Sequence, residues 1–95
     1  MDNIRTLQGD VIARDLRIAI IASRFNDAIV DNLVRGAVDA LLRHGASEKQ
    51  LEIIRVPGAY DLPYVARRVA ASKRCDAIVA LGAVIRGATP HFDYV

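Results

Sequence analysis

The chain predicts an α/β fold: a doubly wound parallel sheet with helices on both faces, in three layers. Three observations carry this expectation. Short continuous runs of Ile, Val, Ala and Leu recur along the sequence, as in strands buried on both faces. The two stretches between them repeat their apolar residues at three and four, the spacing of an amphipathic helix. Gly, Pro, Asn and Asp fall where one pattern gives way to the next.

The elements follow in order. Residues 4–12 hold a short extra strand, and residues 16–23, centred on Ile18-Ala19-Ile20-Ile21-Ala22, form the first main strand. Asn26 or Asp27 caps the helix that follows, in which Val30, Leu33, Val34, Ala37, Val38, Leu41 and Leu42 share the apolar face. Gly45 fits its C′ position, where a left-handed residue ends a helix, and His44 sets favourable charge against the helix dipole. Residues 51–56 read as a second strand, broken by Pro57-Gly58. Asp61 and Pro63 suit the first turn of a second helix, which continues over residues 64–73 with Val65, Ala66, Val69 and Ala70 on one face. Residues 76–85 form the third strand.

Each helix crosses right-handedly between parallel strands. With the helices on opposite faces, the first strand lies between the second and the third, which leaves the third at an edge. Yet Ala77-Ile78-Val79-Ala80-Leu81 has the composition of a central strand, and an apolar edge invites pairing. Either another chain covers it or the sequence stops before its own next strand. Pro90 starts a helix that Val95 cuts off within a turn. Residues 1–95 therefore read as a single α/β domain, truncated after the third strand and its loop.

Composition narrows the function classes. The hydrophobic fraction is 53% without glycine, high for so short a chain, which places some of that surface against another chain. With 13 basic and 11 acidic residues, the net charge is +2, and the signs alternate. No basic stripe of the nucleic-acid-binding kind is present. Cys75, the single cysteine, reads as a small apolar residue. No run approaches the roughly 18 apolar residues of a membrane span, and Met1-Asp2-Asn3-Ile4-Arg5 begins no signal peptide. A soluble cytoplasmic protein is the expectation.

The segment Gly82-Ala83-Val84-Ile85-Arg86-Gly87-Ala88-Thr89-Pro90-His91-Phe92 carries the chemistry: an apolar strand runs into a small-residue loop that delivers a histidine. Backbone amides of such a turn, followed by a helix opened by Pro90, suit a phosphate beside an imidazole. Arg86 suits either a phosphate or an ion pair. All the aromatics fall just after the strands: Phe25 after the first, Tyr60 and Tyr64 after the second, Phe92 and Tyr94 after the third. In parallel sheets ligands bind at the carboxyl ends of strands, and flat rings gathered there suit a planar heterocycle. Tyr64 and Tyr94 could equally seal the sheet end. Gly82 and Gly87 lack dinucleotide-binding spacing, and Ser23-Arg24-Phe25-Asn26 stands where that glycine motif would be.

Ser23-Arg24-Phe25-Asn26, Val56-Pro57-Gly58-Ala59-Tyr60-Asp61-Leu62-Pro63 and residues 81–94, in that order, resemble the three motifs of the 6,7-dimethyl-8-ribityllumazine synthases. The resemblance implies a flavodoxin-like fold and the penultimate step of riboflavin biosynthesis, with no cofactor or metal. It further implies that Phe25 stacks on a pyrimidine, that Ala59, Tyr60 and Asp61 line a uracil and ribityl site, and that Ala83, Val84 and Ile85 flank the ring through backbone groups. Ala88 and Thr89 would hold phosphate, and His91 would transfer protons. Partners would be the two small-molecule substrates and other copies of the chain, in a pentamer or assemblies of pentamers, with neither nucleic acid nor membrane. The family pattern has glutamate where this chain has Asp61, and the lost methylene shortens that carboxylate's reach. A non-catalytic ligand-binding or assembly fragment, or a relative of the archaeal riboflavin synthases, are the other readings. The Pro90-His91-Phe92 loop and the Phe25 motif favour the lumazine-forming enzyme over these.

Overall fold

The computed structural model describes residues 3–87. Its sheet has the order β2-β1-β3, with β1 at Ile18–Ser23, β2 at Leu51–Val56 and β3 at Ala77–Leu81. Both pairings are parallel, running from Ile18 opposite Leu51 to Ser23 opposite Val56, and from Ile18 opposite Ala77 to Ala22 opposite Leu81. The first strand is central, as expected. Every residue of β1 is buried, which is why its sequence is apolar without alternation.

The side chains of β1 divide the core in two. Ile18 and Ile20 pack with Val38, Leu41 and Val79, and Ala22 packs with Val30 and Val34 of α1, Asp27–Arg43. Ala19 and Ile21 pack on the other face with Leu62, Val65, Ala66 and Val69 of α2, Leu62–Ser72. A helix thus covers each face, giving the three layers. Ile20 and Ile21 are fully buried, each stabilising the fold by about 1.5–3 kcal/mol.

Several element limits differ from the expectation. The stretch 4–12 forms no strand. Its apolar residues are exposed, and among the described residues it has no neighbour to complete a ladder. The first strand starts at Ile18, not Leu16, because the backbone of Arg17 is engaged with Asp76: the Arg17 N–H donates to the Asp76 carboxylate (2.8 Å) and the Arg17 carbonyl accepts from the Asp76 N–H (2.7 Å). The third strand ends at Leu81, not Ile85. Beyond Ser23 the backbone stays with β2, through Arg24 N–H to Val56 O (2.7 Å) and Phe25 N–H to Pro57 O (3.1 Å), so residues 82–85 lose their ladder partner.

The helix faces are narrower than their apolar content implied. Leu33 and Leu42 are exposed, since the buried stripe of α1 is Val30 and Val34, flanked by Val38 and Leu41. In α2 the packed set is Leu62, Val65, Ala66 and Val69, and Ala70 is exposed. Asn26 occupies the N-cap of α1 but in the left-handed conformation, φ 62° and ψ 48°, and its side chain makes no capping bond. At the other end Gly45, φ +100°, is the C′ residue. Its N–H donates to Leu42 O (3.2 Å) and that of Ala46 to Leu41 O (3.0 Å), the paired bonds of a Schellman ending. His44 adds a bond from Nδ1 to the carbonyl of Ala40 (2.7 Å), which satisfies one last-turn acceptor.

The segment before β1 is tied to the base of the sheet by one side chain. Gln50 Nε2 donates to the carbonyls of Ala13 (3.0 Å) and Leu16 (2.6 Å), while its Oε1 accepts from the Ser47 N–H (2.9 Å). No helix among the described residues is long and apolar enough to cross a membrane.

Candidate functional site

All three strands end at the same rim, and the chain leaving each one contributes to a single cleft of about 370 Å³. Phe25 comes from the turn after β1. Pro57, Gly58, Ala59, Tyr60 and Asp61 come from the segment after β2. Ala83, Val84 and Ile85 come from the segment after β3. This is the carboxyl end of a parallel sheet beside the central strand, where the reversal of strand order opens a crevice.

Local chemistry shapes each wall. Pro57-Gly58 ends β2, and a 3₁₀ turn over Ala59–Asp61 leads directly into α2. Asp61 holds that turn closed: its Oδ2 accepts the Gly58 N–H (2.9 Å), and its own N–H donates to Gly58 O (3.0 Å). This is half of a capping box, the acid reaching back to the first residue of the turn. The shortened carboxylate is therefore committed to the backbone of its own loop. The two aromatics at the mouth are open to solvent, Phe25 at 61% and Tyr60 at 72% exposure. Rings that sealed the sheet end would be covered, so these faces are free to meet a planar ligand.

The chain is close-packed where it enters the wall of residues 83–85. A Cβ built on Gly82 would stand 2.9 Å from Leu62 Cδ1, 3.2 Å from Ala59 Cβ and 3.5 Å from Ser23 Oγ. Two buried polar atoms have no hydrogen-bond partner among the described residues: Ser23 Oγ, in this packing, and Asn26 Nδ2. Both belong to the strand-to-turn segment that carries Phe25.

The cleft brings together Phe25, Ala59, Tyr60, Asp61, Ala83, Val84 and Ile85, the seven residues assigned to the pyrimidine and ribityl site. Ala88, Thr89 and His91, assigned to phosphate and proton transfer, lie outside the described residues, as do Phe92 and Tyr94. Tyr64 is exposed and does not line the cleft. Pro57 and Gly58 also line it; the sequence marked them as a strand breaker within the second motif, without a site role. Asn26, part of the first motif, read as a candidate helix cap and does not line the cleft. Its tolerance of the left-handed region was the available signal that its amide need not cap.

The family model for 6,7-dimethyl-8-ribityllumazine synthase matches residues 15–95. The chain belongs to that family. A 6,7-dimethyl-8-ribityllumazine synthase of Nitratidesulfovibrio vulgaris (strain DP4) is 55% identical over 95 residues, covering 100% of this chain and 61% of the relative. A second, from N. vulgaris (strain DSM 19637 / Miyazaki F), is 56% identical over the same 95 residues. The synthase of Chlorobium limicola (strain DSM 245 / NBRC 103803 / 6330) is 52% identical over 92 residues, covering 97% of this chain and 59% of its own. The chain thus spans about three fifths of the length of the curated relatives it matches. Among the described residues no group of three or more His, Cys, Asp or Glu side chains is disposed to hold a metal ion.

Proposed function

We propose that this lumazine synthase family member serves riboflavin biosynthesis by condensing 5-amino-6-(D-ribitylamino)uracil with 3,4-dihydroxy-2-butanone 4-phosphate. The products are 6,7-dimethyl-8-ribityllumazine, phosphate and water, formed without cofactor or metal. The observation that supports this most is the convergence of three separated motifs on one cleft with two exposed rings at its mouth. In this reading Phe25 stacks on the pyrimidine, the turn holding Ala59, Tyr60 and Asp61 faces the uracil and ribityl groups, and residues 83–85 flank the ring. Ala88 and Thr89 hold the phosphate of the second substrate.

Imine formation, loss of phosphate and ring closure each move protons near neutral pH, where imidazole is the best-matched side chain, and His91 takes that role. Much of the remaining rate comes from orienting the two substrates in one crevice. Residues 1–95 are one part of an α/β domain whose sheet continues past β3. The outer edge of β3, which pairs with no strand among the described residues, supports that. The working protein is a cytoplasmic homo-oligomer, a pentamer or an assembly of pentamers.

The experiment joins residues 1–95 to the C-terminal part of an N. vulgaris relative that this chain does not span, an arrangement called here the extended chain. Lumazine formation is followed by fluorescence, with His91→Ala beside it. Turnover by the parent and a loss of roughly 100- to 10,000-fold in the variant are expected, with pyrimidine binding kept. A folded extended chain without turnover would overturn the proposal, and unchanged turnover in the variant would remove His91 from it.

A further inference from the structure

We propose that Gly82 is the spacer that sets the separation of the cleft's two walls, and so the thickness of ligand the cleft admits. The inference rests on the function proposed above for what the ligand is, and on the packing around Gly82 for how it acts. Gly82 is the residue at which the chain leaves β3, directly before the wall of residues 83–85. Its position faces the turn that forms the other wall, where an added Cβ would lie 3.2 Å from Ala59 Cβ and 2.9 Å from Leu62 Cδ1.

The two contacts yield differently. Carbon atoms rest at about 3.5–4.0 Å, so both neighbours must retreat by a few tenths of an ångström or more. Leu62 can swing the end of its side chain aside. Ala59 has no rotamer to change, and its methyl can move only with the backbone of the 3₁₀ turn. That turn is held as a unit by the Asp61 carboxylate on the Gly58 N–H, and it carries Tyr60 and Asp61. A methyl at position 82 therefore moves one wall of the cleft against the other. The third neighbour, the buried Ser23 Oγ at 3.5 Å, leaves no room for the new methyl to lean toward β1.

The scale of the effect follows from geometry. A misplacement of about 1 Å costs about 100-fold in an oriented site, so a few tenths of an ångström corresponds to roughly four- to tenfold. The loss appears in ligand affinity and in kcat/KM, because the wall that moves both holds the ring and orients it, while Gly82 itself donates no proton.

The test uses the extended chain with Gly82→Ala, alone and combined with Ala59→Gly or Leu62→Ala. Crystal structures give the distance between the Ala59 turn and residues 83–85, and titration calorimetry gives the affinity for a ribityl-pyrimidine. Expected are a displaced turn and a roughly four- to tenfold weaker affinity in Gly82→Ala, a fall of at least that size in kcat/KM, and recovery of both with Ala59→Gly. An undisplaced turn, or recovery with Leu62→Ala but not with Ala59→Gly, would overturn the spacer. If the parent binds no pyrimidine, the proposed function fails, while the wall distance in the variants still decides the role of Gly82.

Discussion

At the scale of single residues, the cleft is built from side chains that keep their faces free and from backbone that is already satisfied. Asp61 shows the distinction. Its carboxylate, one methylene shorter than the glutamate of the family pattern, bonds the Gly58 N–H, so it contributes to the shape of the wall. Phe25 is the opposite case, for its backbone N–H is bound to Pro57 O while its ring stays largely exposed. A ring exposed in the free protein gains burial only when a ligand arrives. Phe25→Ala in the extended chain should therefore weaken a ribityl-pyrimidine by roughly 0.5–3 kcal/mol, from lost stacking and lost apolar contact. Calorimetry measures this directly, with thermal unfolding as the control. Unaltered affinity with a collapsed fold would make Phe25 a structural residue. The left-handed Asn26 beside it is a reminder that a capping residue type does not fix a capping role: its amide group makes no cap bond.

At the scale of elements, the parts of the fold legible in the sequence are those decided by burial. The residues of β1 are enclosed by a strand on each side and a helix on each face, and their unbroken apolar run says so. What the sequence could not show depends on partners. Residues 4–12 carry strand-like residues but have no ladder to join among the described residues, and the apolar run through Val84 and Ile85 outlasts the β1 backbone that would have paired with it. The seven cleft residues were legible through their motifs; the packing of Gly82 was not, because a close approach depends on coordinates. The junction of β1 and β3 adds a measurable electrostatic link. The Arg17 N–H bonded to the Asp76 carboxylate, with the Arg17 guanidinium beside it at 3.5 Å, holds the Asp76 carboxyl below the usual carboxylate range. A carboxylate depressed by folding adds stability that is present above its unfolded pKa and disappears as pH falls through its folded pKa. In the extended chain, Asp76→Asn should lower the Tm at neutral pH, and the gap to the parent should close as the solution is acidified below the carboxylate range. A gap that is constant with pH would mean that the link is not ionic.

At the scale of the whole molecule, the described residues leave too much apolar surface uncovered for a stable isolated domain. A chain of this size keeps a net stability of about 5–15 kcal/mol. Leu7, Val11 and Ile12 before the sheet, Leu33 on α1 and Ile53 on β2 are all exposed, by 41–80%, and each would contribute about 0.6–2.4 kcal/mol if covered. Their combined potential, about 4–9 kcal/mol, is comparable with the lower part of that margin. The outer edge of β3, which pairs with no strand among the described residues, adds backbone groups beside apolar side chains, a template for uncontrolled association. Relatives that extend well beyond the span of this chain have further residues with which to cover such surface. Residues 1–95 expressed alone should therefore run as a broad, self-associating species without a cooperative thermal transition and without lumazine formation, whereas the extended chain should unfold cooperatively from a defined oligomer. Light scattering, calorimetric unfolding and the fluorescence assay on both proteins distinguish the outcomes. A cooperative, active monomer from residues 1–95 alone would show that three strands and two helices suffice, and that the exposed apolar residues need no partner.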